Sequence, residues 1–182
     1  MPKLLTLRRE LVTSDHQALR DHIPRVNHEL SDIQPKWRRL GEAGITLFER
    51  GEFETAIHKP KSRLAQANPY TLATTFNTSI IPRMPTEPAQ VNLSVSGIDF
   101  MGEGPYRSIA FLLDAEQVMD ERERLLDILD KMNGLNLHWR SLKPHVSVAT
   151  IDQANAEPRV VEAFESINPT ELRFKPLIAG AL

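Results

Sequence analysis

The chain contains no cysteine. Disulfides, thiolate nucleophiles, zinc knuckles and thiolate-held iron–sulfur clusters are therefore excluded, and packing alone must hold the fold. Long apolar runs are missing too. No stretch approaches the roughly 18 residues that a membrane span needs, and the apolar run in Met1–Glu10 is too short for a secretory signal. Both absences predict a cytoplasmic protein with no membrane partner. The sequons Asn77-Thr78-Ser79 and Asn92-Leu93-Ser94 then read as chance matches. An excess of one charge is lacking: the formal net charge is -2 and the pI is about 6.3. No global positive field exists to hold long duplex nucleic acid. A small anionic ligand is still compatible with a local cluster of Lys and Arg. There is no Gly-Lys-Ser/Thr phosphate loop and no dinucleotide glycine fingerprint. Ser94-Val95-Ser96-Gly97 is not a Gly-x-Ser-x-Gly elbow. His16, His22 and His28 recur every six residues, about 240° apart on a helix. They cannot share one face, so no metal site is expected there.

What is present describes an ordinary globular chain. Its 182 residues, 41% hydrophobic and 25% charged, suit a single domain over 1–182. Leu4–Leu11 reads as an opening strand. A helical stretch follows from Ser14, a candidate cap, to about Ile33, with Pro24 kinking or dividing it. Gly44–Arg50 and Phe53–His58 flank Gly51-Glu52 as a β-hairpin. Pro60, Pro69, Pro82, Pro85 and Pro88 leave little room for a helix, so one strand is expected at Thr71–Ile81. Strands follow at Val91–Phe100 and Tyr106–Leu113. The clearest helix starts at the capping pair Asp114 and Gln117. It carries the stripe Val118, Leu125, Ile128, Leu129 and Met132, and stops at Asn133-Gly134. Strands near Leu135–Trp139 and over Pro144–Ile151, a helix from Pro158 and a last strand at Glu171–Ile178 complete the chain. This order predicts an α+β fold with helices packed on one face of an antiparallel sheet.

Chemistry concentrates in Lys143-Pro144-His145-Val146-Ser147-Val148-Ala149. In a strand, Val146 and Val148 go to one face, and His145, Ser147 and Ala149 to the other. His145 and Ser147 then project side by side, about 7 Å apart. An imidazole exchanges a proton near neutral pH, and a hydroxyl donates to a non-bridging phosphate oxygen. The pair suits a phosphoryl group.

This segment resembles the second signature of the 2H phosphoesterase superfamily: His, any residue, Thr or Ser, then an apolar residue, often with Pro before the His. The element order over about 91–151 is similar as well. The resemblance implies a two-lobed α+β fold, lobe one about 1–90 and lobe two about 91–182, with helices on the outer faces and a central cleft. It implies a phosphodiesterase that needs no metal and no cofactor, acting on small nucleotides or RNA ends such as 2′,3′-cyclic phosphates and 2′-5′ linkages. One histidine would be general base and the other general acid. His145 and Ser147 would form the second pair, with Lys143 beside them.

The first pair has three candidates. His58-Lys59-Pro60 has the histidine without the hydroxyl. Gly44-Ile45-Thr46-Leu47 has the hydroxyl without the histidine. Tyr70-Thr71-Leu72 has a displaced hydroxyl. His58 is favoured: Phe53 and Ile57 share the other face of its strand, Lys59, Lys61 and Arg63 lie close by, and Ser62 can replace the missing hydroxyl. Arg107 can reach a phosphate, and Tyr106 or Trp139 can stack on a base. If the first pair is decayed, the chain is a nucleotide- or RNA-binding module of the same fold.

Overall fold

Antiparallel pairing joins segments from both ends of the chain. The computed structural model describes residues 5–48, 68–85, 87–102, 105–133, 143–152 and 157–181. Its strands are β1 (Leu5–Glu10), β2 (Lys36–Trp37), β3 (Gly44–Phe48), β4 (Val91–Met101), β5 (Arg107–Leu113), β6 (His145–Ile151), β7 (Glu171–Phe174) and β8 (Ile178–Ala181). They lie in the order β7-β4-β5-β6-β3-β1-β8, with the short β2 also on β6. The helices are α1 (Thr13–Arg20), α2 (Ile23–Glu29), α3 (Pro69–Thr75), α4 (Ala115–Asn133) and α5 (Glu157–Glu165). Among the described residues no helix is long and apolar enough to cross a membrane.

The sheet curls until its ends meet. β7 uses one edge on β4, with Leu93 opposite Leu172. Its other edge reaches the end of β1, where Leu11 bridges Phe174. The Val12 N–H donates to the Arg173 carbonyl at 3.0 Å, and the Lys175 N–H to that of Glu10 at 2.8 Å. After Pro176 the chain continues along β1 as β8, with Ile178 opposite Arg8. The expected single strand at 171–178 is thus two strands, because a proline cannot donate to the ladder and bends the chain there.

One face of the curl is apolar. Leu7, Ile45, Phe48, Ile109, Phe111 and Val146 are fully buried there. α4 adds Val118 and Leu125, and α5 adds Val160 and Phe164, the latter stacked on Trp37 with ring centroids 5.1 Å apart. α4 starts as its sequence predicts: the Gln117 N–H donates to the Asp114 carboxylate at 2.9 Å. The other half of a capping box is missing, because the Gln117 side chain accepts from the Ser94 N–H instead.

Several expectations are corrected. Residues 71–81 are not a strand. Asn68 caps α3 by accepting from the Thr71 N–H at 2.9 Å, Pro69 occupies the first turn, and a widened π-helical turn (Phe76–Ile80) and a short 3-10 turn (Ile81–Arg83) follow. A proline at a helix start loses nothing, because that N–H has no intrahelical partner. The prolines bracket a helix rather than forbid one. Near the N-terminus, Ser14 lies inside α1 and Val12 is at the cap. Pro24 sits in the first turn of a separate helix, α2. His16 is buried while His22 and His28 are exposed, so the three share no face. The strand expected near 135–139 and the hairpin partner at 53–58 lie outside the described residues.

Candidate functional site

The pleat of β6 divides its side chains between two faces. Val146 and Val148 are buried, while His145 and Ser147 are only half-buried. Ala149 departs from the alternation and is fully buried against β5 and Trp37. The cause is an irregularity: Ala110 faces Ser147 but Ile109 faces Ala149, so β6 has an extra residue between.

The imidazole has a defined tautomer. His145 Nδ1 lies 2.8 Å from the Lys143 carbonyl oxygen. A carbonyl only accepts, so Nδ1–H donates, and Nε2 of the neutral ring keeps its lone pair. The Lys143 ammonium is paired with the Asp99 carboxylate. That hydrogen bond, with another from the Phe100 N–H, holds Asp99 below the usual carboxylate range although burial opposes it.

Register assembles the rest. Ile45 of β3 stands opposite Val146 of β6. One step either way sets Thr46 opposite His145 and Gly44 opposite Ser147. Arg8 and Glu10 of β1 follow beside Thr46 and Gly44. On the other flank, Leu112 faces His145 and Ala110 faces Ser147, then Gly97 faces Leu112 and Asp99 faces Ala110. Facing residues share a side of the sheet with Cβ atoms about 5 Å apart. Two rows therefore cross the half-open face: Gly97, Leu112, His145, Thr46, Arg8, and beside it Asp99, Ala110, Ser147, Gly44, Glu10. The imidazole and two hydroxyls therefore stand together on this face. Among the described residues neither Thr46 nor Ser147 uses its hydroxyl in a hydrogen bond to another side chain or to the backbone. The floor beside them is small, and a Cβ on Gly97 would meet nothing within 4 Å.

Gly44-Ile45-Thr46 thus mirrors His145-Val146-Ser147 across the Ile45–Val146 pair. The mirror is incomplete at Gly44. A Cβ there would stand 2.5 Å from the Arg9 carbonyl oxygen, 3.0 Å from Arg8 Nη2 and 3.1 Å from the Glu10 Cα. β1 passes too close for a histidine.

Among the described residues, the other expected ones do not join these rows. His58 and Ser62, with Lys59, Lys61 and Arg63, lie outside the described residues. So does Trp139. Tyr70-Thr71 is in α3, not a strand. Tyr106 is exposed just before β5. Arg107 alternates onto the face of Ile109, where it pairs with Glu157 and lies 5.5 Å over the Phe100 ring. Among the described residues no group of His, Asp or Glu is placed to hold a metal. Arg8 and Asp99 were not singled out from the sequence. Arg8 gives no signal there, because nothing in Arg8-Arg9-Glu10 says which arginine faces the site.

No family model and no curated protein matches the chain. Solved structures do. Usb1 of Kluyveromyces marxianus is 13% identical with a TM-score of 0.53, covering 98% of this chain and 93% of that one. The same protein with uridine monophosphate is 14% identical with a TM-score of 0.52 over the same shares, 98% and 93%. A conserved protein of unknown function, ATU0111 from Agrobacterium tumefaciens, is 16% identical with a TM-score of 0.51, covering 92% of this chain and 74% of that one. The curled antiparallel sheet with its few helices is accordingly a Usb1-like, 2H-phosphoesterase-like α+β fold.

Proposed function

We propose that the chain is a phosphodiesterase acting on a small nucleotide or an RNA end, at a 2′,3′-cyclic phosphate or a 2′-5′ linkage, in the cytoplasm. The observation that supports this reading is the Ile45–Val146 register, which sets Thr46 against His145 with Ser147 beside them. His145 Nε2 takes a proton from the attacking oxygen, that of a water at a cyclic phosphate or of the adjacent 3′-hydroxyl at a 2′-5′ linkage, as that oxygen bonds to phosphorus. The bond from phosphorus to the leaving oxygen breaks, and that oxygen receives a proton from a second group, a role this reading gives to His58. The Thr46 and Ser147 hydroxyls donate to the non-bridging oxygens. Lys143 and Tyr106 contact the rest of the substrate, with Ser62 beside His58. Arg107 joins them only by leaving Glu157.

The test is turnover of 2′,3′-cyclic nucleotides and 2′-5′ linked dinucleotides with EDTA present. The wild-type chain turns one of them over, and His145→Ala lowers the rate by roughly 10²- to 10⁴-fold. Equal rates in the two proteins reject the assignment. A second reading is favoured by Gly44, which leaves the first motif without its histidine. It makes the chain a nucleotide-binding module that does no chemistry. Calorimetry run beside the product assay separates the two, since this reading gives heat without product.

A further inference from the structure

We infer that Arg8 is the anion-binding residue of this site, gripping the substrate phosphate from the side that Gly44 leaves bare. The inference rests on the proposed phosphate site at His145.

β1 carries adjacent arginines that face opposite ways. Arg9 enters the apolar side, where it is fully buried and neutralised by Glu87 at 2.5 Å and Glu121 at 2.6 Å. Arg8 goes to the other side, opposite Thr46. It is 8% exposed. Its Nη2 donates to the Gly41 carbonyl at 2.9 Å and the Glu42 carbonyl at 3.3 Å. Carbonyls orient a guanidinium without cancelling its charge. Among the described residues no carboxylate pairs with Arg8, and Nε and Nη1 have no acceptor. Burial lowers its pKa, and only the more distant charges of Glu10 and Glu42 oppose that. A buried cation without a counterion is costly unless something else supplies the anion.

The geometry says where that anion sits. Arg8 Nη2 is 3.0 Å from where a Cβ on Gly44 would be. The guanidinium therefore lies over Gly44, across from Ser147 and next to Thr46. It stands where the mirror of His145 would have placed an imidazole. An arginine cannot take the proton-transfer role, because it stays charged at any working pH. It can hold two phosphate oxygens at once. Across the β3–β6 pair, the proton-transferring His145 thus faces a fixed positive charge instead of a second imidazole, and the site selects ligands by an anionic phosphoryl group.

Calorimetry with uridine monophosphate and uridine tests this on the wild-type chain, Arg8→Gln, Arg8→Lys and His145→Ala. Arg8→Gln loses about 10- to 100-fold in affinity for uridine monophosphate and nothing for uridine, whereas a merely structural role would weaken both. Arg8→Lys keeps the charge and recovers part of the loss. Unchanged affinity in Arg8→Gln overturns the inference while leaving the His145 site standing. If the wild-type chain binds no uridine monophosphate, the site reading falls and this inference with it. Should Arg8→Gln not fold, the Arg8 Nε–H resonance of the wild-type chain, assigned with Arg8→Lys, decides. It shifts with uridine monophosphate and not with uridine, and an unmoved resonance in nucleotide-saturated protein overturns the inference.

Discussion

One absent side chain at position 44 shapes the whole site. Gly44 is there for steric reasons, since its place beside the Arg9 carbonyl tolerates no Cβ. Gly44→His should therefore cost stability instead of restoring a second acid–base group. Crowding of that kind costs about 1–3 kcal/mol, read as a lowered urea midpoint, with no gain in nucleotide turnover. A variant as stable as the wild type and faster would contradict this account. The same residues show what sequence can and cannot reveal. His145 and Ser147 were legible because everything that places them is local: a proline, an alternating strand and two valines. Thr46 was half legible, since its strand could be seen but its partner strand could not. Arg8 was illegible, because its meaning depends on which strand runs beside it, and that strand is distant in sequence.

At the scale of elements, the residues from 68 to 83 were misread for an instructive reason. Counting prolines treats each as a breaker, whereas their position within an element decides their effect. Pro69 opens α3, and Pro82 lies in the 3-10 turn after the π-helical turn. Asn68 does the capping, so Asn68→Ala should cost about 1 kcal/mol and Asn68→Gly only a few tenths. Thermal unfolding of the two variants checks the ranking, and equal losses would count against the cap. α3 leads directly into a lock on the sheet edge. The Asn77 side-chain amide donates to the Ala179 carbonyl and accepts from the Ala179 N–H, both at 2.8 Å. That amide pairs with β8 as a strand would, which also leaves no free amide at the first sequon. β5 and the start of the long helix were legible from periodicity, since Ile109 and Phe111, and Val118 and Leu125, each share a buried face.

Across the whole molecule, the curled sheet is tied by an ionic cluster as well as by its core. Arg9 of β1, Glu87 ahead of β4, and Glu121 and Arg124 of α4 form it. Burial pushes the Glu121 carboxyl up, but hydrogen bonds from Arg124 and Arg9 and the charge of Arg9 outweigh it and leave the carboxyl below its ordinary range. Removing one member of a buried pair typically costs about 3–5 kcal/mol, so Glu121→Gln should be strongly destabilised at neutral pH. The folded pKa is the lower one. The contribution of Glu121 is therefore complete above its unfolded pKa, about 4.3, and is lost as pH falls through the folded value. The stability gap between wild type and Glu121→Gln should be constant from pH 7 to about 5 and close below about 4. A gap that persists in acid would show that packing, not charge, accounts for the loss.

The central claim is that one imidazole, its Nδ1–H held by the Lys143 carbonyl and its Nε2 turned to the ligand, faces a phosphate held by neighbouring strands. Nitrogen-15 spectra of the histidine rings, with His145 assigned from His145→Ala, test it most directly. The account predicts that His145 carries its proton on Nδ1 in the free chain, and that uridine monophosphate shifts its Nε2 resonance whereas uridine does not. An Nδ1 without its proton, or an Nε2 indifferent to saturating nucleotide, would contradict it.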